Sequence, residues 1–123
     1  MKETRFVQGR LKSVTYAFKG FWLLITTEHS IMFHSFISTL LIILGLFNHL
    51  TATEWMFQVV AIGLLLTAEA LNTAIEKIAN FIEPNHSNKI GEIKDIGAGA
   101  VLIGLFAELV IVLIIYIPKF SLI

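Results

Sequence analysis

Glu69, Asn72 and Glu76 stand three and four residues apart in Leu64–Asn80, LLLTAEALNTAIEKIAN, a stretch that begins as hydrocarbon. At about 100° per residue, Glu69, Asn72, Thr73, Glu76 and Asn80 share about a third of a helix circumference. Leu65, Leu66, Ala68, Leu71, Ala74, Ile75 and Ile78 cover the rest, and no charged residue occurs in Trp55–Ala68 upstream. Glu69 is therefore expected inside the hydrocarbon boundary and Glu76, two turns further on, near the interface. A carboxylate at that depth is costly and faces a bundle interior, a partner or a water-filled cavity. Such a group can contribute to helix packing, or it can accept a proton from a hydroxyl held at the membrane surface.

Other ionisable residues fall where they can join this stripe. Glu28 precedes the first apolar run, and Lys94 and Asp95 open the last. Carboxylate oxygens suit Mg²⁺, which binds a few of them, keeps waters and takes further ligands from phosphates. A lysine ammonium is a natural point charge for a phosphate oxygen. Acidic groups from three separated segments, with a lysine among them, fit phosphoryl transfer at a bilayer surface. There, positioning and charge neutralisation supply most of the catalysis. The same carboxylates, at helix ends, can also serve as caps and anchors.

The elements that must hold these groups are membrane helices. The chain has 123 residues, 56% of them apolar, with nine basic and nine acidic side chains. The apolar residues are gathered into long runs, which marks an all-α integral membrane protein of one domain. No cysteine is present, so disulfides, thiolate metal sites and cysteine nucleophiles are excluded. No basic cluster is dense enough to suggest nucleic acid. The opening residues also lack the order of a cleaved signal peptide.

In chain order, residues 5–27 read as an amphipathic surface helix. Val7, Leu11, Val14, Phe18, Phe21 and Ile25 lie on one side, with Arg5, Gln8, Lys12, Thr15 and Lys19 on the other. Spans are expected at about 31–50, 55–76 and 95–117, each able to cross ~30 Å of hydrocarbon. Asn48–Glu54 reads as a turn with Thr53 as helix cap, and the third span as ending before Pro118. His34, Ser35, Ser38 and Thr39 give the first span a polar edge suited to hydrogen bonds between helices. His34 has no second His or Cys at metal-ligand spacing. Gly97, Gly99 and Gly104, interleaved with Ala98 and Ala100, allow a close helix neighbour. Glu108 is the only charge inside the third span. Basic residues cluster before the first span (Lys2, Arg5, Arg10, Lys12, Lys19) and between the second and third (Lys77, Lys89, Lys94). The positive-inside rule then places the N-terminus and the 77–94 loop in the cytoplasm.

EALNTAIE at 69–76 with KDIGAGAV at 94–101 resembles the signature of the small bacterial diacylglycerol kinase family, integral membrane lipid kinases unrelated to soluble kinases. The resemblance extends over nearly the whole chain, from the surface helix through Thr27–Glu28 to the Lys-Asp pair. It implies an ATP- and Mg²⁺-dependent lipid kinase of the bacterial cytoplasmic membrane, working as a homotrimer whose sites combine neighbouring protomers. Residue by residue, it implies Glu69 as catalytic base and Glu28 and Glu76 as metal ligands. Asn72 would organise the lipid and γ-phosphate region, and Lys94 and Asp95 would bind ATP. Arg10 is the candidate for the family's N-terminal basic contact. Ala17 stands where some relatives carry a hydroxyl, so no role transfers there. The runs TEHSIMFH (27–34) and IPKF (117–120) resemble the Gram-positive-type branch, whose members are often undecaprenol kinases. The acceptor is therefore diacylglycerol or undecaprenol.

Two other readings compete. A small proton or ion conductor would line a path with Glu69 and Glu108, yet Met56–Leu66 offers only Gln58 as a polar residue. A non-enzymatic assembly protein would use its carboxylates as packing devices. No P-loop or glycine-rich nucleotide loop is present.

Overall fold

The computed structural model describes residues 1–120. Four helices follow one another: α1 (Lys2–Thr27), α2 (His29–Phe47), α3 (Ala52–Ile82) and α4 (Asn88–Lys119). The last three are each long and apolar enough to cross a membrane. The all-α architecture, with an amphipathic helix ahead of three spans, is as expected from the sequence pattern.

Only Glu28 separates α1 from α2, and its extended backbone breaks the helix in a single residue. No residue of α1 is buried within the chain. Its apolar stripe therefore meets lipid or another subunit, as an interfacial helix requires. The remaining helices form an antiparallel bundle. His34 and Leu41 of α2 meet Glu69 and Gln58 of α3. Asn72 and Leu65 of α3 meet Gly97 and Gly104 of α4.

One helix cap differs from the sequence reading. The α2–α3 turn is capped by Thr51 rather than Thr53. The Thr51 hydroxyl accepts from the Glu54 amide at 3.2 Å and the Thr51 amide donates to Glu54 Oε1 at 2.9 Å, a full capping box. Thr51, not Thr53, stands three residues before a glutamate, which is what the reciprocal pair needs. Helix α4 starts at Asn88, ahead of the span expected at about 95–117, because the Ser87 hydroxyl caps the Ile90 amide. It also runs through Pro118 to Lys119. In the final turn proline forfeits one backbone bond without further turns to disrupt, and Lys119 is held by Glu54 at 3.1 Å. At ~1.5 Å per residue, α3 and α4 each extend well beyond a ~30 Å hydrocarbon core. Their last and first turns, respectively, carry the site's polar groups out of it.

Candidate active site

Every charged or amide group of the α3 stripe lies on the half of the bundle that holds the α1–α2 break and the α3–α4 loop. Glu69 is the deepest. It is 6% exposed, and His34 Nε2 of α2 lies 2.9 Å from its Oε1. One turn on, Asn72 Nδ2 donates to Glu76 Oε1 at 3.2 Å. Asn72 Oδ1 is buried without a hydrogen-bond partner and is pressed against Gly97 of α4. A Cβ at position 97 would collide with that oxygen. The glycine-rich stretch thus serves a specific approach, with α4 close enough to pin the asparagine between Glu69 and Glu76.

Nearer the loop, Lys94 Nζ donates to Asn80 Oδ1 at 2.6 Å, tying α4 to α3. Asp95 and Glu76 are exposed. Glu28 Oε1, at the α1–α2 break, lies 3.1 Å from Lys77 Nζ. Glu28, Glu69, Asn72, Glu76, Lys94 and Asp95 are therefore gathered at one end of the bundle. Among the described residues, no cluster of three or more His, Asp or Glu side chains within a single chain could hold a metal ion.

Arg10 is not brought to this group. It is exposed, with its guanidinium 5.5 Å from the Phe6 ring centroid. Eighteen residues of helix separate it from Glu28, about 27 Å at 1.5 Å per residue. A contact from Arg10 to this site requires a neighbouring protomer.

A groove of about 700 Å³ opens between α1 and α3, lined by Gly20, Leu24, Ala70, Thr73 and Ala74, with the Glu28–Lys77 pair at its edge. Its walls are overwhelmingly apolar and its charged edge faces the same end as Glu76.

Sequence reasoning missed two features. His34 was expected to bond between helices, but its partner was not identified, because nothing in residue spacing aligns 34 with 69. Glu108 is 6% exposed, with Oε2 buried and without a hydrogen-bond partner. Its isolation in the third span was the one legible signal.

A three-span bundle with an intramembrane carboxylate, an amide and a lysine at one end is the architecture of a membrane-embedded phosphotransferase rather than of a soluble kinase. The profile of the prokaryotic diacylglycerol kinase family matches residues 15–116, and the chain belongs to that family. It is similar to the undecaprenol kinase of Bacillus subtilis (strain 168), with 34% identity over 108 residues covering 88% of each chain. The protein is a membrane lipid kinase.

Proposed function

We propose that the protein transfers the γ-phosphoryl group of ATP to the terminal hydroxyl of undecaprenol at the cytoplasmic leaflet of the bacterial cytoplasmic membrane. The observation that carries this reading is Glu69, a nearly fully buried carboxylate in a membrane helix, one turn from Asn72 and two from Glu76. The likeness to an undecaprenol kinase over 88% of both chains favours the polyprenol among acceptors. The family's description favours diacylglycerol as the second candidate. Both present a primary hydroxyl at the depth where the α1–α3 groove meets its charged edge.

In this reading Glu69 is the general base. The acceptor oxygen forms a bond to the γ-phosphorus, the bond from that phosphorus to the bridging oxygen breaks, and ADP leaves. The hydroxyl proton passes to the Glu69 carboxylate. Asn72, held between Glu69 and Glu76, organises the space where hydroxyl and γ-phosphate meet. Lys94 and Asp95 bind and orient the nucleotide, and Arg10 of a neighbouring protomer contributes a further cationic contact. The separation of Arg10 from its own chain's site favours an assembly with shared sites, and the homotrimer expected from the family would supply one.

The donor set fits Mg²⁺. Glu28 and Glu76 supply hard oxygen ligands, and each keeps one carboxylate oxygen outside the pairs described above. With so few protein ligands the ion would keep waters and take phosphate oxygens, as Mg²⁺ does in nucleotide enzymes. Bound there, it would neutralise charge on the transferring phosphoryl group.

The test is a phosphorylation assay with purified protein, Mg-ATP, and undecaprenol and diacylglycerol in competition. Preferential formation of undecaprenyl phosphate is expected. A product mixture dominated by phosphatidic acid would replace the acceptor, and phosphorylation of neither lipid would overturn the reading.

A further inference from the structure

We propose that His34 is a positioning residue for the catalytic carboxylate: its Nε2–H donates to Glu69 Oε1, fixing that oxygen and presenting Oε2 to the acceptor hydroxyl. This rests on the assignment of Glu69 as the base. The imidazole lies 2.9 Å from the carboxylate, and the two side chains are 16% and 7% exposed. They come from different helices, 35 residues apart in the chain, so the contact is a product of α2–α3 packing.

Ser38 and Thr39 on this stretch of α2 are already engaged within their own helix. Ser38 donates to the His34 carbonyl at 2.7 Å and Thr39 to the Ser35 carbonyl at 2.8 Å. His34 is thus the α2 side chain that reaches Glu69.

The geometry addresses a specific problem. A glutamate side chain has three torsions, and confining it costs rotamer entropy. A base must also present one oxygen within hydrogen-bond reach of the proton that it removes. An N–H fixed to Oε1 selects the carboxylate orientation before substrate arrives. It also supplies a donor to a charge that hydrocarbon cannot solvate. Without it, Glu69 retains its place in the helix but loses its aim, and misplacement on the ångström scale can cost about 10²-fold in rate.

His34→Gln and His34→Met separate these roles, because the two side chains are unbranched and similar in size while only Gln carries an N–H donor. His34→Met is expected to lower kcat by about 10²-fold, with KM for Mg-ATP and for lipid changed less than about two-fold. His34→Gln is expected to recover at least about a third of that loss on a logarithmic scale. Activity of His34→Met within about two-fold of the parent would overturn the proposal, as would equal activity of Met and Gln variants. A readout that needs no His34 variant is the imidazole ¹⁵N spectrum of the whole protein. Glu69→Gln should shift the His34 Nε2 resonance, and an unmoved resonance would overturn the pairing. The same Glu69→Gln protein separates the two claims. If it still turns over, the base assignment has failed. If it is inactive while His34→Met is not, only the role of His34 has.

Discussion

The two ends of the helical bundle handle polar groups in opposite ways. Toward the end holding the α2–α3 turn, the polar side chains that enter the interior are closed upon partners, with Glu108 Oε2 the exception. Tyr116 Oη donates to Gln58 Oε1 at 2.6 Å and approaches the Leu41 carbonyl at 3.2 Å, which also receives Gln58 Nε2 at 3.3 Å. Leu50, Ile115 and Tyr116 form the apolar cluster around them, with Trp55 packed alongside. Glu54 joins the Thr51 capping box and the Lys119 pair. At the opposite end, polar groups are gathered and only partly closed. Asn72 Oδ1 has no hydrogen-bond partner, and Glu76 and Asp95 are exposed. Buried polar groups that satisfy one another specify a fold, whereas groups left open are available to substrate, ion or partner. The first end holds the helices in register and the second uses that register.

The largest effect should come from Glu69→Gln, which removes the proton acceptor while keeping shape. Phosphoryl transfer should fall by at least about 10²–10⁴-fold, with the folded oligomer and nucleotide binding retained. Turnover near that of the parent would mean that the open end is not catalytic in the way described. Gly97→Ala comes next, because its methyl would occupy the place of Asn72 Oδ1. Overpacking of this kind costs about 1–3 kcal/mol, and initial rates should fall further than melting temperature suggests. Gly104→Ala meets only ordinary contacts with Leu65 and Ala68 and should behave like the parent. Equal behaviour of these two variants would remove the link between the glycine stretch and the site.

Glu76→Gln should move the Mg²⁺ requirement to higher concentration with less effect at saturation, and an unchanged Mg²⁺ titration would count against Glu76 as a ligand. At the closed end the sign of the contrast reverses. Tyr116→Phe strips a donor from Gln58 and should lower stability by about 1–2 kcal/mol, leaving kcat and KM alone. The smallest change is expected from Lys119→Met, which breaks a solvent-screened ion pair with Glu54 and should leave the melting temperature nearly unmoved. A kinetic defect in either closed-end variant would blur the division between the two ends.

Much of this was legible before any coordinates. Uninterrupted apolar runs dictate helices in lipid, since no other open structure satisfies its backbone there. The 3.6-residue period places Glu69, Asn72 and Glu76 on one face, and three antiparallel spans return Glu28, Lys94 and Asp95 to the same end. Local chemistry is less legible: the sequence offers Thr53 as a cap where Thr51 provides it.

Periodicity orders residues around a helix and along it, and that was enough for the number of spans and the composition of the polar stripe. It carries no information on how far one helix slides or rotates against the next. The His34–Glu69 pair, the Gln58–Tyr116 closure, the burial of Glu108 and the approach of Gly97 to Asn72 are all consequences of that slide and rotation. They are set by side-chain packing between helices distant in the chain, and they first become visible in the folded molecule.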